Sequence, residues 1–333
     1  MEKVLSFGEL LLRICPDEDG QWLKENNLPF YIGGAEANVA TALALWGVPS
    51  AYLTGLPDNY ISEQLVAYLK SRRIQTNSII YHGERIGLYY LLKGKDLKHA
   101  GVIYDRNGSA FAALTPGMID WDAVFEDVRW FHFSAICPAI NQAVADVCEE
   151  ALKVAAQKGI TISLDLNYRA KLWKYGKEPV EVMPALAQHC DLIMGNIWAA
   201  HTMLGISLDE NLIASRDKES MVEHARTTSE EIIARFPRCN TVANTFRFDR
   251  ERHGIQYYTT LYTGGNLTVS NVYEAADIVD KVGSGDCFMA GLIYGFYNNL
   301  ALSQTLELAT LAAYKKLFIS SDATTTPIAE LKV

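Results

Sequence analysis

The chain has 333 residues, 49% hydrophobic and 21% charged, and its 39 acidic side chains outnumber 30 basic ones for a net charge of −9. This composition excludes a disordered or collagen-like chain, and a chain of this length buries about three quarters of its unfolded surface, so it needs neither disulfides nor a structural metal. Its acidic balance offers no electrostatic footprint for nucleic acid or an anionic membrane.

In chain order, Val4-Leu5-Ser6-Phe7 reads as a first strand ending at Gly8. A polar stretch follows to Pro29, and Gly33-Gly34 then opens an Ala-rich helix stopped at Gly47, whose small side chains suit close packing on a sheet. The segments Gln75 to Leu92 and Ala100 to Ala112 alternate and are rich in Tyr and Ile, which favours strands. Together they predict a small β-sheet lid formed by about residues 10–33 and 75–112. Beyond residue 115, apolar runs at Trp130–Phe133, Thr161–Leu164, Asp191–Met194 and Thr241–Ala243 alternate with helical stretches at Gln142–Gln157, Val180–Gln188 and Met221–Arg235. Short apolar strands alternating with helices predict an α/β fold, a doubly wound, mostly parallel sheet flanked by helices. Two helices close the chain, Asp286–Asn298 and Leu302–Phe318; the first is apolar nearly all round and is expected to be buried.

The six cysteines form no CxxC pair and no zinc spacing with histidine, no apolar run approaches the ~20 residues of a membrane span, and the opening MEKVLSFGELLLRI, interrupted by Glu9, is not expected to act as a signal peptide. A cytoplasmic protein is expected. His132, among Trp130, Phe131 and Phe133, reads as a core residue rather than a ligand.

The most informative stretch is Asp280-Lys-Val-Gly-Ser-Gly-Asp286, which runs into the apolar helix. A Gly-rich loop opening a helix presents backbone N–H groups and the positive end of the helix dipole to an anion. Asp286 in the first turn is then either a helix cap or a general base beside a phosphate. There is no GxxxxGK[ST], and Gly283 and Gly285 do not extend to GxGxxG because position 288 is Phe; a P-loop and a nicotinamide dehydrogenase are both disfavoured.

Gly33-Gly34-Ala-Glu-Ala-Asn38 near the start and Val-Gly-Ser-Gly-Asp286 near the end together resemble the ribokinase-like (PfkB-type) sugar kinases, in order and in the strand–helix pattern between them. The resemblance spans the whole chain and implies one kinase domain over residues 1–333. It makes Gly283, Ser284 and Gly285 the anion hole, Asp286 the catalytic base, and Gly33, Gly34 and Asn38 sugar contacts. Three further segments resemble 2-keto-3-deoxygluconate kinases: Gly8-Glu-Leu-Leu-Leu-Arg13, Val102-Ile-Tyr-Asp-Arg106, and Asp165-Leu-Asn-Tyr-Arg169 with Leu172-Trp173. Strand spacing puts Tyr104 and Arg106 on one face; an Arg there calls for an anion, and a sugar acid supplies a carboxylate for its planar fork. By the resemblance Asp165 and Arg169 meet the substrate, and Asn167 and Arg169 the phosphates, beyond the carboxyl end of a strand. It also implies a lid tyrosine on the sugar, Tyr89 or Tyr90, here taken as Tyr90; Asp322 near the substrate; and Asn196, Thr245 and Arg247 on the ATP side together with Gly283 and Gly285.

The family's Asn-x-x-Glu is here Asn196-Ile-Trp-Ala199, so no residue is assigned to Mg²⁺. Lys281, where many relatives have Thr, leaves a monovalent-cation requirement open. The resemblance thus implies ATP with Mg²⁺, a small sugar acid as partner, and a homo-oligomer. A kinase for a neutral sugar such as fructose or ribose is the alternative, with a non-catalytic sugar or nucleotide sensor behind it.

Overall fold

The computed structural model describes residues 2–16, 20–24, 26–91, 101–215, 217–250 and 254–331. From the N-terminus run β1 (Lys3–Phe7), β2 (Leu11–Ile14), β3 (Phe30–Gly33), α1 (Ala35–Leu45), β4 (Ser50–Leu53), β5 (Gly55–Leu56), α2 (Tyr60–Ser71), β6 (Ile74–Gln75), β7 (Ile80–Tyr81), β8 (Gly87–Tyr90) and β9 (Ile103–Asp105). Then follow α3 (Trp121–Val124), β10 (Val128–Ser134), α4 (Gln142–Gln157), β11 (Thr161–Asp165), α5 (Pro179–Ala187), β12 (Leu192–Gly195), α6 (Ile197–Leu204), α7 (Glu210–Ser215), α8 (Lys218–Arg235) and β13 (Thr241–Asp249). The chain ends with β14 (Ile255–Thr263), β15 (Asn266–Val269), β16 (Tyr273–Ala275), α9 (Ser284–Tyr297) and α10 (Leu302–Lys316).

The main sheet has the order β15-β14-β13-β12-β11-β10-β1-β4-β6, with β16 beside β14. Every pair from β13 to β6 is parallel, as the alternation of apolar strands and helices predicts. β13 runs on to Asp249 and pairs antiparallel with β14, which pairs antiparallel with β15 and β16. This Tyr- and Thr-rich end of the sheet is not anticipated by the sequence reading, which sees only Thr241–Ala243.

From β1 the chain builds outward to β4 and β6 on one side and from β10 to β13 on the other. The order therefore reverses between β1 and β10. A crevice opens at such a point, outside the carboxyl ends of the strands.

Helix α1 buries an unbroken run from Glu36 to Ala44, which its alanines permit. Helix α9 is buried over most of its length and packs on α10 so closely that a Cβ at Gly291 would lie 2.4 Å from the Ala309 Cα. His132 is a core residue: its Nδ1 meets the Ser163 hydroxyl at 3.0 Å, and burial pushes its pKa down to about 3.

A separate four-stranded sheet has the order β3-β2-β8-β9. Ile74–Gln75 instead joins the main sheet and Ile80–Tyr81 pairs with Gly55–Leu56, so the small sheet is narrower than the expected span; residues 92–100 of that span lie outside the described residues. Its registers align Tyr31, Arg13, Tyr89 and Tyr104 in one row across four strands. Arg13 is fully buried in that row. Its Nη2 lies 2.8 Å from Asp280 Oδ2 and 2.9 Å from Asp322 Oδ1, and its guanidinium stacks 4.6 Å from the Tyr31 ring centroid. The small sheet is thereby tied to the start of the Gly-rich loop.

Removing one partner of a buried ion pair leaves uncompensated charge and costs about 3–5 kcal/mol. Arg13→Ala strands two buried carboxylates, so chemical denaturation should show a loss of at least that size. An unchanged denaturation midpoint would show that the cluster does not hold the sheet.

Candidate active site

A cavity of about 770 Å³ lies at the crevice, within the size range of small-molecule sites. Its walls come from the carboxyl ends of β1, β11, β12 and β13, the start of α1, the start of α9, and the small sheet.

The Gly-rich loop and α9 form one wall. Gly283 caps α9 with φ +79°, and a Cβ there would stand 1.9 Å from the Asp322 carbonyl oxygen, so backbone packing demands glycine. Gly285 differs: a Cβ there meets no protein atom within 4 Å. It lines the cavity, so the open space before it is room for a ligand at a helix N-terminus, where N–H groups and the dipole favour an anion. The Ser284 hydroxyl donates to the Ala313 carbonyl at 3.2 Å, which leaves Ser284 only its backbone N–H for such a role.

Asp286 sits in the next position, 7% exposed, and accepts a hydrogen bond from Asn38 Nδ2 at 2.7 Å. Burial pushes its pKa up to about 8; the Asn38 bond opposes this, and the charges of Asp165 and Glu36 reinforce it. The cap position of α9 is held by Gly283, not by Asp286, which lies in the first turn. Asp165 ends β11, and burial raises its pKa to about 6 although the Asn167 backbone N–H donates to it at 3.0 Å. Glu36 is a third acid at the cavity. It accepts from the Ser134 backbone N–H at 3.0 Å and from the Cys137 thiol at 3.4 Å, and burial raises its pKa.

Gly34, Asn38, Tyr104, Arg106, Asp165 and Arg169 line the cavity together, as do Asn167, Asn196, Thr245 and Arg247. Three expected substrate contacts do not. Gly33 faces Asp322, Leu11 and Tyr89, which a Cβ would meet at 3.0–3.2 Å. Tyr90 packs edge-on against Trp22 at 6.0 Å, because adjacent strand residues point to opposite faces; Tyr89 is the one in the Arg13 row and at the cavity. Asp322 is drawn into the interior, where it pairs with Arg13 and accepts from the Tyr89 hydroxyl at 2.7 Å. It positions Tyr89 rather than lining the cavity.

Arg106 also departs from expectation. Its Nε donates to Glu9 Oε2, and Ser109 donates to Glu9 Oε1 at 2.5 Å. The protein itself balances this cation, so the charge alone does not require an anionic substrate. Glu9, Arg13 and Glu36 lie within the quoted motifs, yet the motif reading assigns them no role. Their signal was nonetheless present: Glu9 and Arg13 bracket the apolar run Leu10–Leu12, and Glu36 is the one charged residue in Ala35–Leu45.

On the far wall, the Asn196 side chain caps α6 by accepting from the Ala199 N–H at 2.8 Å. Lys281 pairs with Asp249 at 2.9 Å. Among the described residues no group of three or more His, Cys, Asp and Glu side chains could hold a metal, and no helix is long and apolar enough to cross a membrane.

The family model for pfkB family carbohydrate kinases matches residues 1–328. The crystal structure of 2-dehydro-3-deoxygluconokinase from Thermotoga maritima is similar at TM-score 0.89 and 33% identity, over 99% of this chain and 98% of that one. A PfkB family carbohydrate kinase from Listeria grayi is similar at TM-score 0.87 and 28% identity, over 99% and 98%. A 2-dehydro-3-deoxygalactonokinase from Haloferax volcanii is 28% identical over 335 residues, 98% of this chain and 94% of its own. The chain belongs to the pfkB family of carbohydrate kinases, and its mostly parallel sheet with a small separate sheet is the ribokinase-like fold.

The two loop glycines separate folding from ligand binding. Gly283→Ala should fail to fold or melt far below wild type. Gly285→Ala should keep the wild-type melting temperature while its affinity for MgATP falls about tenfold or more, measured by calorimetry. Equal melting temperatures for both variants, or wild-type affinity in Gly285→Ala, would contradict this division.

Proposed function

We propose that this pfkB-family carbohydrate kinase transfers the γ-phosphoryl group of ATP to the 6-hydroxyl of 2-keto-3-deoxygluconate, giving 2-keto-3-deoxy-6-phosphogluconate and ADP. The observation that carries the reading is one cavity shared by a buried acid behind a Gly-rich helix start, Asp286, and by Tyr104 and Arg106 from the small sheet. Glu9 engages Nε of Arg106, and a guanidinium has four further N–H donors in a planar fork, suited to a substrate carboxylate. The Thermotoga maritima and Haloferax volcanii relatives carry names of kinases for 2-keto-3-deoxy sugar acids that differ only in configuration.

In this mechanism the carboxylate end of the substrate rests on Tyr104 and Arg106, and position alone selects the hydroxyl that reaches Asp286. Asp286 in its ionised form accepts the hydroxyl proton as the oxygen attacks the γ-phosphorus; a pKa pushed up to about 8 by burial makes that carboxylate a stronger proton acceptor. The same shift leaves it largely protonated below that pH in the ligand-free protein, so kcat/KM should rise with pH toward 8. Backbone N–H groups of Gly283, Ser284 and Gly285, with the α9 dipole, stabilise the charge on the transferring phosphoryl, and Arg169 adds a cation. The bond to the ADP oxygen breaks and ADP leaves. Mg²⁺ enters as the MgATP substrate, where it neutralises phosphate charge, held by phosphates and water as this ion commonly is. The small sheet serves as a lid that excludes water.

A coupled ADP-release assay tests the reading. The enzyme should prefer 2-keto-3-deoxygluconate over its galacto epimer and over fructose and ribose, and Asp286→Asn should lower kcat by ~10²–10⁴. Arg106→Lys keeps a cation beside Glu9 but removes the fork, so kcat/KM for the sugar acid should fall about tenfold or more while that for a neutral sugar hardly changes. A wild-type preference for fructose or ribose would discard the sugar-acid substrate and leave the carbohydrate kinase.

A further inference from the structure

Tyr257, on β14, is 3% exposed and lines the cavity. Its hydroxyl has no hydrogen-bond partner. The other buried polar atoms without a partner, among the described residues, belong to side chains that do not line this cavity. An unpaired buried hydroxyl costs about 1–3 kcal/mol, a cost that a ligand atom in the cavity removes.

The surroundings decide which kind of atom. The β13–β14 register sets Arg247 directly opposite Tyr257, on the same face of the sheet, and Arg247 lines the cavity too. Val282 and Gly283, just before α9, line the same cavity, and Cys287, one turn into α9, shares the apolar cluster of Tyr257 and bears on its hydroxyl. Burial pushes the Tyr257 pKa well up, against the pull of Arg247, so the phenol keeps its proton and donates. A phenol O–H, a guanidinium and helix N-terminal N–H groups are all donors. Their complement is a group rich in acceptors and negative charge, which a sugar hydroxyl or a purine ring is not.

We propose that Tyr257 is a phosphate-binding residue, its hydroxyl donating to a phosphate oxygen of the nucleotide donor alongside Arg247. The assignment rests on the reading of the protein as an ATP-dependent kinase and extends it to a side chain that no motif identifies. The aromatic ring has a separate, structural role, since it packs in the apolar cluster with Ile255, Leu261 and Cys287. Phenylalanine can fill that role without the hydroxyl.

The test compares wild type with Tyr257→Phe by calorimetry, using MgATP, magnesium tripolyphosphate and adenosine as probes. Affinity for MgATP and for tripolyphosphate should fall about tenfold or more, since hydrogen bonds to charged groups are the strong ones. Affinity for adenosine and the KM for the sugar should stay put, and the ligand-free protein should melt at or above the wild-type temperature. Wild-type affinity of the variant for both phosphate probes would overturn the proposal, as would an equal loss for adenosine. A variant that fails to fold would overturn it as well, because the hydroxyl would then have a structural role. A wild-type protein that binds no MgATP would instead overturn the kinase reading on which the proposal rests.

Discussion

Arg13 lies fully buried between two carboxylates, Asp280 where the Gly-rich loop begins and Asp322 in the segment after α10. Asp322 in turn holds the Tyr89 hydroxyl, and its carbonyl oxygen fills the place a side chain at Gly283 would need. This one cluster therefore sets the curvature of the anion-binding loop, the orientation of a cavity tyrosine and the position of the small sheet. Lys316 lies beneath it with its ammonium donating to the Ile319 carbonyl at 3.2 Å. Burying so much charge is expensive, and well-packed apolar residues often serve stability as well. What the charges add here is register: each carboxylate has a specific cation to meet, which fixes the small sheet relative to α9.

The second constraint is the crowding of acids at the cavity. Glu36, Asp165 and Asp286 share one low-dielectric space, and each is displaced toward its protonated form, mainly by burial. Their hydrogen bonds set them apart. Glu36 is held by Ser134 and Cys137, Asp165 by a backbone N–H, and Asp286 by a single side-chain amide. Asp286 alone of the three lies in the first turn of α9, at the helix N-terminus, which places it beside the site for an anion. The sign of its linkage to stability follows. Its folded-state pKa, about 8, exceeds the ordinary 3.8, so its contribution to stability is fully present below the ordinary value and is lost as pH rises through about 8.

Most of the scaffold was legible because it is local. The runs at 130–133 and 161–164 are short strands dominated by apolar residues, α4 spans Gln142–Gln157 as its periodicity indicates, and the loop before Asp286 carries its chemistry in consecutive residues. The illegible parts are pairings between distant positions. Arg106 meets Glu9 across 97 positions and Arg13 meets Asp280 across 267; no local period says which carboxylate answers which cation. The choice between Tyr89 and Tyr90 depends on the register of β8 against β2, which is likewise set by tertiary contacts. The sequence reading passes over β14, although Gln256–Thr260 is rich in the Tyr and Thr that favour strands, and with it the partnerless hydroxyl of Tyr257.

That Asp286 is a buried acid that holds its proton up to about pH 8 and ionises above it can be measured directly, by following the infrared carboxyl absorbance of the ligand-free enzyme against Asp286→Asn as pH is varied. A protonated-carboxyl band, absent from the variant, should disappear with a midpoint near 8 and move to higher pH when Asn38→Ala removes the hydrogen bond favouring the charged form. A carboxylate already ionised at pH 5, or a midpoint indifferent to Asn38, would contradict it.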